Sequence, residues 1–172
     1  NEQTTAKTAD TIKANVLSTL TNYNTNTLNQ FDGVFRYSKI IGLVDNTDTS
    51  IVSNITTLKI RKEFTPTINV STRYDVYFRN ALYNPHSGHN SAAGGILTST
   101  GFKIDGDTST IFFLDDDGQG NIRRYSLSGS TRVYANSSQG TIDYTTGQVT
   151  TNSLNVSVVE NIRGAASSVI EL

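Results

Sequence analysis

Five aspartates form the densest group of side chains that could do chemistry: Asp105 and Asp107, then the run Asp115 to Asp117 before Gly118-Gln119-Gly120. Carboxylate and carbonyl oxygens from one tight loop are the ligands that Ca²⁺ uses. Counted from Asp115 against the EF-hand loop, the fifth position is Gln119 and the twelfth is Ser126, where a bidentate Glu is required. We therefore predict solvated carboxylates at turns, with no metal site and no buried general acid.

The two histidines, His86 and His89, are three residues apart in a stretch rich in Gly, Asn and Ser. A zinc site needs three or four protein ligands, and the chain has no Cys to complete one. The pattern predicts exposed loop histidines. No Gly-rich phosphate loop follows a strand and opens a helix, so the sequence predicts no cofactor and no catalytic residues. We do not expect an enzyme.

The composition excludes several classes of protein. Of 172 residues, 17% are charged against roughly 25% in an average soluble chain, and 25 Thr, 18 Ser and 17 Asn take their place. A net charge of −1 argues against nucleic-acid binding, which needs a cationic face. No apolar run is long enough to span a membrane. The chain opens on Asn1 instead of Met, which predicts a piece of a longer protein.

Residues 1–49 carry helical periodicity. Apolar residues from Ala9 to Phe31 recur every three or four positions, which predicts one amphipathic helix of about six turns that ends near Gly33. A second, shorter helix is predicted to begin at Ser38 as its N-cap and to stop at residues 45–48. The stripe of the first helix either packs on the chain's own sheet or is a candidate subunit interface, and its members are Ile12, Val16, Leu20, Tyr23, Leu28 and Phe31.

Residues 50–172 change to the period of two that is typical of strands. The clearest alternation, Ile68 to Phe78, predicts one half-buried strand with its even-numbered side chains inward, paired antiparallel with the strand before it. The fold class is therefore α+β, with a helical pair followed by an antiparallel sheet built of hairpins. Further strands are predicted at 96–104, in the hairpins 110–114 with 122–127 and 140–144 with 148–151, and at 154–158.

Several segments together resemble the baseplate wedge proteins of T-even-like contractile-tailed phages and, more distantly, the baseplate J-like family. They are Phe35 to Ile41, Val44-Asp45, Ser50 to Asn54, Lys62 to Phe64, Asp115 to Asn121 and Gly140 to Val149. The order of these segments, over about residues 30 to 160, makes the resemblance specific. Wedge proteins of this kind are much longer than this chain.

The resemblance implies a structural component of the virion, assembled in the host cytoplasm. Such proteins associate with themselves and with other wedge subunits to form a ring around the central hub of the tail. The alternative is a β-rich module that binds a receptor or a glycan. Trp, the usual sugar platform, is absent, and the tyrosines that could replace it are Tyr74, Tyr77, Tyr83, Tyr125 and Tyr134.

Overall fold

A computed structural model of the chain describes residues 7–89 and 95–172. They divide into two compact units, Asn1–Lys59 and Ile60–Leu172. The first contains the helices, and the second contains the antiparallel sheets, which confirms the predicted α+β class. The domain division at residue 50, placed from the sequence, remains a proposal. The loop predicted from Asn84 to Gly95 lies partly outside the described residues.

Residues 7–59, the described part of the first unit, contain two α-helices. Helix α1 spans Ala9–Tyr23, and one π-helical turn, Asn24–Leu28, follows it. The prediction of one helix to Phe31 was therefore too long. Asn and Thr alternate from residue 24 to residue 27, and such side chains compete with the helix for backbone hydrogen bonds. Helix α2 spans Tyr37–Asp45, and its N-cap is Arg36 without a side-chain hydrogen bond, so the predicted Ser38 cap was wrong.

The described residues of the second unit form ten strands. They are β1 Glu63–Phe64, β2 Ser71–Thr72, β3 Asp75–Tyr77, β4 Phe102–Ile104, β5 Asp107–Asp116, β6 Asn121–Ser128, β7 Thr131–Asp143, β8 Gln148–Thr151, β9 Leu154–Val159 and β10 Ile170–Glu171. Strand β1 pairs with β10, and the other eight form one sheet in the order β2-β9-β4-β5-β6-β7-β8-β3. The predicted hairpins β5–β6 and β7–β8 are confirmed, as is the strand that follows them.

The predicted strand from Ile68 to Phe78 is wrong in part. It is broken into β2 and β3, and these pair with β9 and β8 instead of with the preceding strand. Asn69 has a φ of 57°, in the left-handed region, so the extended backbone is interrupted there. Ile68 and Val70 are exposed as a result, whereas Val76 and Phe78 are buried as predicted.

The two strands that end the eight-stranded order, β2 and β3, lie on one chain segment, and their partners β9 and β8 lie on another. Strands β8 and β9 are separated by only two residues, and β2 and β3 are also separated by two. Segment 71–77 therefore runs antiparallel along segment 148–155, and the register shifts by one residue between the pairs Thr72–Leu154 and Asp75–Thr150. The first and last strands of the sheet order, β2 and β3, are therefore adjacent parts of the same chain segment.

The hydrophobic core lies in the second unit. Phe102, Leu114 and Ile122 are fully buried on the central strands. The other members of the buried apolar cluster come from the remaining strands and from residues next to them: Val76, Phe78, Leu97, Phe112, Ile142, Val149, Leu154, Val156, Ile170 and Leu172.

Candidate assembly surface

Helix α1 presents its apolar stripe without burying it. Thr8 caps the helix, since its Oγ1 accepts a hydrogen bond of 3.2 Å from the Thr11 N–H, and Asp10 stands in the first turn, where a negative charge is favourable. No residue of α1 is buried. Of the six candidate interface residues, Phe31 is fully exposed and five are half-buried: Ile12, Val16, Leu20, Tyr23 and Leu28.

The loop between the helices and the first residue of α2 carry a group of exposed apolar side chains. They are Phe31, Val34 and Phe35 in the loop and Tyr37 at the start of α2. Gly33 shapes this loop, because a Cβ at that position would lie 2.2 Å from the Leu28 carbonyl oxygen. Only glycine allows so close a backbone approach. The three exposed side chains of the loop are therefore held on a turn of defined geometry.

A second exposed apolar group lies on the extended segment after α2. Val52 and Ile55 are 85% and 100% exposed. Hydrogen bonds fix this segment to α2: Asn54 Nδ2 donates to an Asp45 oxygen, and the Tyr37 hydroxyl donates to the Thr56 carbonyl over 2.6 Å. The apolar side chains are thus exposed on a backbone that is itself held in place.

Asp48 is the single buried residue among the described residues of the first unit, 7–59. It accepts hydrogen bonds from Lys7 Nζ at 2.6 Å, from Ser50 Oγ at 2.7 Å and from the Ser50 N–H at 3.0 Å. The hydrogen bond from Lys7 and those from Ser50 hold the pKa of this carboxyl well below its usual range. The contact with Lys7 therefore joins the residues before α1 to the segment after α2.

In the second unit, two of the five acids predicted to be solvated, Asp115 and Asp116, are buried, which corrects the sequence analysis. Asp115 is fully buried, and it accepts hydrogen bonds from Arg123 Nε at 2.9 Å, Arg132 Nη1 at 2.6 Å and the Tyr134 hydroxyl at 3.0 Å. Burial and the hydrogen bond to Asp115 raise the pKa of Tyr134. The cause of the error is the register, because Asp115 lies directly opposite Arg123 and its other partners come from β7.

Asp116 is also fully buried, on the opposite face of β5. Its Oδ1 accepts from the N–H groups of Ile96 and Leu97, both at 2.7 Å, and its Oδ2 accepts from the Tyr144 hydroxyl at 2.6 Å. Burial, followed by this hydrogen bond, raises the pKa of Tyr144. Each carboxylate thus has its acceptor sites occupied by protein donors, which is the arrangement of a structural network and not of a proton-transfer site.

The remaining candidates are polar surface features. Asp105 is exposed in the turn between β4 and β5, and Asp107 is half-buried at the first residue of β5. His86 and His89 are exposed as predicted, with 3.0 Å between His86 Nε2 and His89 Nδ1. Of the tyrosines considered as sugar platforms, Tyr125 is buried and Tyr74 is half-buried, whereas Tyr77, Tyr83 and Tyr134 are exposed.

A comparison with known protein families matches part of the chain. Residues 1–63 match the model of the family described as baseplate structural protein gp6, C-terminal domain III. This confirms the resemblance to baseplate wedge proteins for the gp6-like segment, residues 1–63. No curated protein and no solved structure matches the chain. The wedge-like segments at 115–121 and 140–149 lie outside the gp6 match.

The gp6 match supports a structural component of a phage tail baseplate, which assembles with other baseplate proteins. All six candidate interface residues and both exposed apolar groups lie within the gp6-like segment. Over residues 7–89 and 95–172, no group of three or more His, Cys, Asp or Glu side chains is arranged to hold a metal ion. In the same part of the chain, no helix is long and apolar enough to cross a membrane.

Proposed function

We propose that this protein is a baseplate wedge subunit that self-associates and binds other wedge proteins to form the ring around the tail hub. It acts as a structural component and not as an enzyme, and it joins the virion after assembly in the host cytoplasm. The observation that carries the proposal is the apolar surface of the gp6-like segment.

That surface is extensive for a unit of this size. Among the described residues 7–59, no apolar side chain is buried. Monomeric proteins rarely expose contiguous apolar patches larger than a few hundred Å². Covering one large apolar side chain contributes about 1.5 to 3 kcal/mol. Eight large apolar residues of this unit are exposed: Leu17, Phe31, Val34, Phe35, Tyr37, Val52, Ile55 and Leu58.

The exposed loop and the extended segment supply the side chains that a partner would cover first. Phe31 is the one member of the predicted stripe that lies fully in solvent, and Ile55 is equally exposed. The half-buried members, such as Val16 and Leu20, already contact their own unit. The interface we propose therefore centres on Phe31 and Ile55, and the half-buried stripe of α1 supports it.

Light scattering after size exclusion tests this assignment. We expect a dimer or a larger species for the wild-type chain at tens of micromolar, and a folded monomer for Phe31→Glu with Ile55→Glu. Val158→Glu is the matched control, because it places the same charge on an exposed apolar position of β9 in the other unit. A wild-type chain that stays monomeric at high micromolar concentration would contradict self-association of this chain.

A second pair of variants separates subunit contact from internal packing. Val16→Glu with Leu20→Glu places charges at half-buried positions of α1. Folded monomer, judged by circular dichroism, is expected if this stripe contributes to the interface. Loss of the helical signal would assign the stripe to packing within the unit, and the exposed pair Phe31 and Ile55 would then carry the association alone.

A further inference from the structure

Three arginines lie on β6 and β7, and two of them form ion pairs with the same buried carboxylate. Arg123 and Arg132 both donate to Asp115. Arg124 points to the other face of β6, because successive side chains of a strand alternate. Its cross-strand neighbour on β5 is Leu114, which is fully buried. Arg124 is therefore separated from the ion network by the sheet itself.

The surroundings of Arg124 are neutral. Its Nη1 donates to Gln139 Oε1 over 3.1 Å, and its guanidinium carbon lies 5.1 Å from the centre of the Phe112 ring. Within residues 7–89 and 95–172, no carboxylate oxygen lies within 4.0 Å of its guanidinium nitrogens. The Nε is buried and has no hydrogen-bond partner in that part of the chain. The half-buried cation thus lacks a counter-charge there.

The acceptor of Arg124 is held rigidly. Gln139 is 2% exposed, and its Oε1 also accepts from Asn136 Nδ2 at 3.2 Å. The backbone of Gln139 is fixed as well, since its carbonyl accepts from the Asn152 N–H over 2.6 Å. The guanidinium is therefore positioned by a fixed amide and by the Phe112 ring.

A partly buried charge without a counter-charge is costly, and a bound anion would offset that cost. Burial also lowers the pKa of the Arg124 guanidinium, which reflects the same lost hydration. We propose that Arg124, positioned by Gln139, binds the carboxylate of an Asp or Glu side chain presented by another baseplate protein. This inference rests on the proposed function, which supplies such a protein neighbour.

The chemistry at Arg124 favours a single carboxylate. One guanidinium among neutral amides matches one negative charge, and its planar fork fits the two oxygens of a carboxylate. A phosphate group is usually met by several cations or backbone N–H groups. An acidic sugar would be expected to stack on an open aromatic face, but Phe112 is buried and is contacted by the guanidinium itself.

Nuclear magnetic resonance of the Arg124 Nε–H group in the whole chain tests the proposal. The probe is N-acetylglutamate amide, a monovalent carboxylate that represents a Glu side chain. We expect a saturable shift of this resonance in the millimolar range, and no comparable shift with sodium chloride at equal ionic strength. The side-chain amide of Gln139, which contacts the Arg124 guanidinium and is retained in the variants, is followed in parallel. Binding followed at this amide should weaken at least tenfold in Arg124→Lys and should be unchanged in Arg73→Lys, an exposed control paired with Asp75.

Three results of this titration would overturn the proposal. The first is the absence of a saturable shift, and the second is an equal response to chloride, which would mean an adventitious ion only. The third is glucuronate or phosphate binding more than tenfold tighter than the glutamate probe. Arg124→Lys leaves Phe31 and Ile55 intact, so self-association by light scattering reports the proposed function separately.

The melting temperature of the free chain gives a second readout. Arg124→Gln should raise it by about 2 to 4 °C, because the variant removes a charge that has no counter-charge. Arg123→Gln should lower it, because that variant removes a donor from buried Asp115. A drop for Arg124→Gln as large as that for Arg123→Gln would assign Arg124 a structural role and would overturn the proposal.

Discussion

Asp115 on β5 and Arg132 on β7 are joined by a hydrogen-bonded ion pair of 2.6 Å that passes across the intervening strand β6. The carboxylate is fully buried, whereas the Arg132 side chain is about one-third exposed. Arg132 also covers the ring of Tyr125 at 4.7 Å, so the guanidinium satisfies the carboxylate and shields the aromatic group beneath it. This pair joins three strands of the sheet through one buried charge.

Asp115→Ala should lower the free energy of unfolding by about 3 kcal/mol, because breaking a buried ion pair leaves its partners without a counter-charge. Urea denaturation with an unchanged m-value measures the loss. Asp75→Ala is the control, since that acid is exposed and pairs with exposed Arg73. A loss below about 1 kcal/mol for Asp115→Ala would mean that the network contributes little to stability.

Tyr144 should make the second unit sensitive to alkaline pH. Its pKa is raised in the folded state, whereas the unfolded phenol titrates near 10. Above about pH 10 the unfolded chain loses this proton first, so stability falls as the pH rises towards the folded pKa. Tyr144→Phe should show a shallower fall above pH 10. Unfolding curves at pH 9 to 11 measure it, and parallel curves for the two proteins would contradict the prediction.

Asp107 should contribute at the acid end. The Thr110 N–H and the other donors of Thr110 and Ser109, at the start of β5, lower the pKa of this carboxyl to about 2. An unfolded Asp titrates near 3.9, so the contribution is present above that pH and is lost as the pH falls towards 2. Asp107→Asn should therefore flatten the acid limb of the stability curve between pH 4 and pH 2. An acid limb as steep as that of the wild type would contradict the assignment.

Val70 and Val76 test the corrected strand. Val76→Asp buries an unpaired charge beside the core and should cost about 4 kcal/mol or more. Val70→Asp changes a residue that is half in solvent and should cost less than about 1 kcal/mol. Urea denaturation measures the free energy of unfolding of both variants, which make the same Val-to-Asp change at two positions. Equal losses would show that Val70 and Val76 share one buried face, as the alternation alone predicted.

The hairpins were predictable because their signals are local. Turn-forming residues between strand-like runs are enough to indicate β5 with β6 and β7 with β8. The break in the strand at Asn69 was harder to predict, because a single Asn can adopt either the left-handed region or the extended backbone of an ordinary strand. The early end of α1 could have been suspected from the Asn and Thr residues at 24–27.

The burial of Asp115 and Asp116 could not be read from the sequence. It depends on the register of β5 against β6, and a shift of one residue would exchange the faces of the two carboxylates. Their other partners are 17 to 28 residues further along the chain, as in Arg132, Tyr134 and Tyr144. The only early signal was the pair of arginines, Arg123 and Arg124, soon after three acids.

The pairing of β2 and β3 with β9 and β8 has a consequence for how the second unit folds. The partners of β2 and β3 are about 70 to 80 residues further along the chain. Strand β1 pairs with the still later β10, with Glu63 opposite Glu171. Contacts between residues so far apart in the chain slow folding, because the entropy of closing the intervening loop is lost before any contact stabilises the closed form. During synthesis on the ribosome, β2 and β3 therefore remain without their partners until β8 and β9 have emerged. The β5–β6 and β7–β8 hairpins can form first and serve as the template on which the early strands close.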